Sequence, residues 1–202
     1  MYEDEYFLAV VKPKNMLTHS LKHNESIALD QLVLGYFLPE DFVFRAVNRL
    51  DKDTSGIIIV AKDMLSASFL GNMLKNGHIK KRYQAIVCGV PKSERFVIEK
   101  PIKRQSDSII KRVCDSSGKY AKTECVLLKK LQNNLSLLDV VLHTGRTHQI
   151  RVHLSSIGHP LYADSLYGKA VEGETYTLIA YSLEFLHPFT NERILLKMPI
   201  NI

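Results

Sequence analysis

Apolar residues recur along this chain with two different spacings. Phe7 to Val11 is a short β-prone run that ends at Lys12-Pro13, and Gly56 to Lys62 is a β-branched run that predicts a buried strand. Between them, Ile27, Leu29, Leu32, Leu34 and Phe37 follow helical spacing, which predicts a helix over Ile27 to Phe37 that stops before Pro39. Asp63 is placed to cap a second helix in which Leu65, Phe69, Met73 and Leu74 recur, with Gly77 as its stop. Tyr83 to Cys88, Glu94 to Glu99, Thr123 to Leu131 and Leu135 to His143 predict strands, the last two joined by a turn at Gln132-Asn133-Asn134. Ile150, Leu154 and Ile157 predict a helix over Thr147 to Ile157, closed by Gly158. Tyr176 to Phe185 and Arg193 to Met198 predict closing strands. Strands outnumber helices and several are joined by short turns. The expected fold is α+β, with a mixed, largely antiparallel central sheet flanked by helices.

Composition narrows the picture further. The 202 residues are expected to form a single domain over 1–202, with 46% hydrophobic and 24% charged residues, enough for a full core. The three cysteines, Cys88, Cys114 and Cys125, form no Cys-x-x-Cys pair, which argues against a disulfide framework and a zinc ribbon. Cys88 and Cys125 lie in apolar runs and read as small buried residues. Apolar runs such as Ile57 to Ala61 are too short to cross a bilayer, and the acidic start carries no targeting signal. A soluble, cytoplasmic protein without membrane association is expected.

The charge is uneven. The chain has net charge +6, yet Lys75 to Arg112 alone holds eleven Lys/Arg against Glu94, Glu99 and Asp107. Such a cluster is either a solvated face or a footprint for a polyanion, and charge alone does not separate nucleic acid from anionic lipid or acidic protein.

Three segments carry candidate chemistry. In Asn48-Arg49-Leu50-Asp51-Lys52-Asp53-Thr54-Ser55-Gly56, short polar residues form a loop before the buried strand. Asp51 beside Leu50 and Arg49 suits a partly desolvated nucleophile or base, or else a solvated turn residue. In Lys80-Lys81-Arg82-Tyr83, an aromatic beside cations can stack a base while the cations hold phosphates; an ordinary strand tyrosine is the plainer reading. In Gly145-Arg146-Thr147-His148-Gln149-Ile150-Arg151-Val152-His153-Leu154, Gly145 and Arg146 are expected at a helix N-terminus that favours anions. His148 and His153 lack the spacing of a metal pair, so no metal site is expected.

Together these segments resemble the RluA-type pseudouridine synthases. The family's His-Arg-Leu-Asp-x-x-Thr-Ser-Gly is matched by Asn48 to Gly56, followed by an apolar strand and Ala61-Lys62. Its Lys-x-Tyr strand is matched by Lys81-Arg82-Tyr83, and its late motifs by Thr144 to Leu154 and Gly158 to Gly168. The early Lys-Pro element appears at Lys12 to His19, and a Gly-Lys-x-Ala-x-Thr element at Gly118 to Thr123. The order is the family's order across nearly the whole chain. Asn48 replaces the usual His. Asn15 replaces the usual Gly, and Asn tolerates positive φ better than most residues. The N-terminal accessory RNA-binding domain of many relatives is not expected here.

The resemblance implies an isomerase that converts specific uridines in ribosomal or transfer RNA to pseudouridine without a cofactor. It implies Asp51 as the essential carboxylate, Tyr83 as a stacking ring that assists loss of the C5 proton, and Arg151 as the active-site arginine that pairs with Asp51. Arg49, Thr54, Lys81, Arg146, His148 and Gln149 are the implied substrate-binding residues. A target base must be flipped out of its stack or taken from a loop. A monomer is expected. The competing readings are a non-catalytic RNA-binding module and a protein associated with anionic membranes.

Overall fold

The computed structural model describes residues 2–21, 27–38 and 41–200. In chain order its elements are β1 (Tyr2–Glu3), β2 (Phe7–Lys12), α1 (Leu29–Tyr36), β3 (Arg45–Ala46), β4 (Ser55–Ala61), α2 (Met64–Lys75), β5 (Lys80–Cys88) and β6 (Arg95–Glu99). These are followed by β7 (Ile102–Arg104), β8 (Arg112–Cys114), β9 (Lys122–Leu131), β10 (Leu135–Leu142), α3 (Gln149–Ser155), β11 (Leu178–Leu186) and β12 (Arg193–Lys197). The fold is α+β, with a mixed, largely antiparallel sheet and few helices. Two compact units divide the chain. One holds the described residues up to Lys80 and from Ala180 onward, and the other is Lys81–Ile179.

The first unit is built on the strand order β1-β2-β4-β11, with β3 on β4 and β12 on β11. The β-branched run of β4 is buried on both faces, as its continuous apolar pattern predicts. It pairs antiparallel with β2, so that Phe7 faces Ala61 and Lys12 faces Gly56. Phe7, Ile57, Ile59, Leu70, Leu183 and Phe185 form the core. Gly56 has φ 129°, and a Cβ there would stand 2.3 Å from the Ala180 carbonyl oxygen, so only glycine fits.

Asp63 caps α2 by accepting hydrogen bonds from the Ser66 backbone N–H at 2.8 Å and its hydroxyl at 2.6 Å. The buried face is shifted by one position from the Leu65-Phe69 stripe. Ser66 and Leu70 are buried, while Leu65 and Phe69 are exposed. The bond to Asp63 satisfies the Ser66 hydroxyl and lets it enter the core. The expected helix over Ile27 to Phe37 is realised as α1, and Pro39, its expected stop, lies outside the described residues.

The second unit is built on β5-β10-β9-β6, all antiparallel, with β7 and β8 as a separate two-stranded ribbon. Asn133 and Asn134 both have φ 55°, the geometry of a tight hairpin turn that Asn tolerates. The ribbon lies outside the sequence expectation because three-residue strands have no readable period. Where the chain returns beneath it, a Cβ at Gly118 would stand 2.6 Å from the Ile102 backbone. That clearance lets Ile102 and Lys119 exchange two backbone hydrogen bonds of 2.9 Å.

Helix α3 begins at Gln149 rather than Thr147. His148 adopts a left-handed φ of 57°, which no helix continues through. Gly145 and Arg146 therefore belong to a turn and not to a helix N-terminus, a correction to the sequence expectation. Gly158, at φ 84°, ends the segment as expected. Of the two cysteines read as buried, Cys125 is buried and Cys88 only half so; burial pushes the Cys125 thiol up to about 12.

Candidate functional site

In the first unit the Asp51 loop is tied down from three directions. The Asn48 amide behaves like a peptide group added to β4. Its Nδ2 donates to the Ile57 carbonyl at 3.0 Å, and its Oδ1 accepts from the Ile59 N–H at 2.9 Å. Thr18, 5% exposed, donates from its hydroxyl to the Leu50 carbonyl at 3.1 Å and accepts from the Leu50 N–H at 3.4 Å. Lys12 is fully buried, and its ammonium donates to the carbonyls of Pro13 at 2.9 Å, Met16 at 2.7 Å and Lys52 at 2.9 Å. One cation thus binds the Lys12–Met16 turn to the loop that carries Asp51. Burial pushes Lys12 down to about 8, against the opposing pull of Asp53 and then Asp51. The Thr54 N–H closes the turn on the Asp51 carbonyl at 3.1 Å.

Asp51 itself is half-buried and Arg49 is exposed. Thr54 is 2% exposed, so it holds the loop from inside. Asn15 has φ 63°, the positive value the usual glycine would supply. Lys12 and Thr18 belong to the quoted Lys-Pro element, yet nothing local to them signals a role. The Lys52 carbonyl lies 40 residues away in sequence from the lysine that binds it.

In the second unit, strand alternation sorts the Lys80-Lys81-Arg82-Tyr83 cluster. Lys81 and Tyr83 share the buried face, while Lys80 and Arg82 are exposed. Arg82 pairs with the buried carboxylate of Asp139. Tyr83 is 7% exposed and faces Val140 across the β5–β10 pairing.

Arg151 is buried on α3 and makes a bidentate pair with Asp164, Nε to Oδ2 at 2.7 Å and Nη2 to Oδ1 at 2.8 Å. Asp164, 0% exposed, also accepts from the N–H groups of Leu166 and Tyr167. The Arg151 guanidinium stands 4.5 Å from the Tyr176 ring centroid and 5.0 Å from that of Tyr167. The Tyr167 oxygen contacts His148 Nδ1 at 2.8 Å and accepts from the Arg112 N–H at 2.8 Å. Tyr167 therefore bridges Arg151, His148 and the β7–β8 ribbon. Asp164 and Tyr167 lie in the quoted Gly158 to Gly168 motif, where their partners cannot be read.

Gln149 fixes the turn that presents Arg146. Its Oε1 accepts from the Thr144 hydroxyl at 2.8 Å and the Arg146 N–H at 2.9 Å, and its Nε2 donates to the Lys122 carbonyl and the Thr123 hydroxyl, each at 3.0 Å. Thr123 passes the chain on to His153 Nδ1 at 2.8 Å, and His153 Nε2 reaches the Lys100 carbonyl at 2.9 Å. The carbonyl fixes the tautomer, since only Nε2–H can donate to it, which leaves Nδ1 to accept from Thr123. Burial lowers the His153 pKa and keeps it neutral. Gln149 is 2% exposed with both ends of its amide occupied, so it positions the turn and leaves direct contact to its neighbours.

The ribbon displays Lys103 and Arg104 beside the more sheltered Lys111 and Arg112. Lys103 pairs with Asp115 at 2.9 Å and holds that carboxyl well below its ordinary range. Among the described residues no group of His, Cys, Asp or Glu is placed to hold a metal ion. Nor is any helix among them long and apolar enough to cross a membrane.

Residues 6–156 match the family model described as RNA pseudouridylate synthase. The chain is 36% identical to the uncharacterized RNA pseudouridine synthase YhcT of Bacillus subtilis, covering 98% of this chain and 67% of that protein. It is 35% identical to the ribosomal large subunit pseudouridine synthase D of Zymomonas mobilis, covering 96% and 66%. The chain spans about two thirds of the length of these relatives. Among solved structures, human RNA Pseudouridylate Synthase Domain Containing 1 superposes with a TM-score of 0.82 at 27% identity, covering 98% of this chain and 82% of that one.

Proposed function

The chain belongs to the RNA pseudouridylate synthase family, a family of isomerases, and on that premise we propose that it converts specific uridines of RNA to pseudouridine through Asp51, without a cofactor. The reaction breaks the N1–C1′ bond, turns the uracil and joins C5 to C1′. The C5 proton leaves and N1 gains one, so the sum is an isomerisation that needs no oxidant and no energy input. Asp51 acts at the sugar or base, as nucleophile or as base toward the 2′ proton. Tyr83 offers a ring for the uracil and an oxygen for the C5 proton. Arg151 supplies a fixed guanidinium. Arg49, Lys81, Arg146 and His148 hold the RNA, while Thr54 and Gln149 hold the loops.

The observation that carries this reading is the fastening of the Asp51 loop. A fully buried lysine, a buried threonine and a buried asparagine all converge on one short segment whose acidic residue is half-buried. A solvated turn has no use for such fastening. The names of relatives such as the Zymomonas mobilis protein favour ribosomal over transfer RNA as the substrate.

The test is a pseudouridine map, by carbodiimide treatment and primer extension, of RNA from cells with and without this gene. Loss of one or more stops is expected, and persistence of every stop overturns the reading. Purified Asp51→Ala should bind RNA and convert no uridine; conversion by that variant removes Asp51 from the chemistry.

A further inference from the structure

Two lysines, one in each unit, are buried but are treated differently. Lys12 is fully buried and every proton of its ammonium meets a carbonyl. Lys81 is 6% exposed, and among the described residues its ammonium has no hydrogen bond and no carboxylate; no fully buried side-chain nitrogen there lacks a partner, so it is the tip of this otherwise buried side chain that reaches the surface. Its charged neighbour is another cation. Burial first, and then the charge of Arg146, lower the Lys81 pKa. Arg146 spends its Nε on the Tyr120 carbonyl at 2.9 Å, and its Nη nitrogens meet no partner among the described residues. The turn between them lies close, since a Cβ at Gly145 would stand 3.7 Å from Lys81 Nζ.

We propose that Lys81 and the open edge of Arg146 form a cradle for a single backbone phosphate of the RNA substrate. A charge largely withdrawn from water, with no counter-charge and a like charge beside it, is held less favourably than a solvated one. An arrangement of this kind persists where a ligand completes it, at some cost to the free protein. The missing partner is an anion with several acceptor oxygens, able to take an ammonium on one and a guanidinium edge on others, which describes a phosphodiester. The cradle is built in advance. Gln149 holds the Arg146 N–H, and the buried Gln149-Thr123-His153 relay holds Gln149, so no loop has to be ordered on binding. This inference deepens the RNA-isomerase reading and rests on it.

The experiment measures binding of a labelled mixed-sequence single-stranded RNA to the full chain over a range of KCl concentrations. Wild type, Lys81→Met, Arg146→Gln and the double variant are compared, alongside thermal unfolding without RNA and with inorganic phosphate. Each single variant is expected to bind about tenfold more weakly and to lose about one unit of salt slope, and the double variant to lose no more than that. Without RNA, Lys81→Met is expected to unfold at a higher temperature, because it removes a largely desolvated charge that has no counter-charge. A purely structural lysine would shift the midpoint the other way, and that result overturns the proposal. So does a double variant that loses about two units of slope, which indicates two separate phosphates. If inorganic phosphate stabilises wild type through Lys81 while the RNA slope is unchanged in the variants, the site takes free anions only and the proposal falls. If wild type binds RNA and isomerises uridine while the variants match it, the cradle alone falls. If wild type does neither, the underlying reading falls with it.

Discussion

The Asp51 loop and the turn that presents Arg146 are both immobilised from within, but by opposite means. The first is fastened by a buried ammonium, Lys12, whose charge lies within the field of Asp53 and Asp51. The second is fastened by an uncharged relay of Gln149, Thr123 and His153. The choice follows the local charge. Carboxylates nearby offset part of the cost of burying a cationic fastener. Beside Lys81 and Arg146 it would add repulsion, and an anionic one would cancel the field that attracts a phosphate. A neutral relay fixes the turn and leaves that field intact.

The largest expected effect comes from breaking the charged fastener. Lys12→Met leaves three carbonyls without their shared charged donor and should cost about 3–5 kcal/mol in urea unfolding, with loss of uridine conversion. A cost below about 1 kcal/mol would erase the distinction between the two devices. His153→Leu strands the Thr123 hydroxyl and the Lys100 carbonyl and should cost about 1–3 kcal/mol, read in the same titration. RNA binding should weaken with it, since Gln149 is then less firmly held.

The smallest effect is the pH dependence, which separates the two by window. His153 has a folded pKa below its ordinary value, so the unfolded chain binds the proton first as pH falls below about 6.5. Stability from this group therefore falls as pH drops through that region, and the gap between wild type and His153→Leu should narrow there. Lys12 has a folded pKa of about 8. Between there and its ordinary value of about 10.5 the unfolded chain holds the extra proton, so stability rises with pH. The gap between wild type and Lys12→Met should widen in that alkaline window and not in the acidic one. Equal pH profiles for the two variants would show that the fasteners do not differ in charge.

Much of the fold was legible because long runs carry their own period. β4, β9 and β10 follow from β-branched or alternating residues, and the Asn133-Asn134 turn from its composition. The two- and three-residue strands β1, β3, β7 and β8 carry no period, and their pairing is decided by distant partners. The face of α2 was misplaced because a capped Ser66 can be buried while Leu65 and Phe69 are left out. At the candidate site, the alternation of β5 already separates Lys81 from Lys80 and Arg82. The part played by Lys12, the Asp164 partner of Arg151 and the relay through His153 were not legible. Each depends on contacts between segments far apart in sequence, and an isolated Lys, Asp or His looks the same whether solvated or buried.

Gly56 carries a warning for anyone who surveys this loop by saturation mutagenesis. No alanine, and nothing larger, can enter a position whose first added carbon would overlap the Ala180 backbone. Such a survey would return intolerance at 56 as absolute as any found at a reacting group, even under selection for abundance alone. From the sequence alone, that steric veto would pass for chemistry.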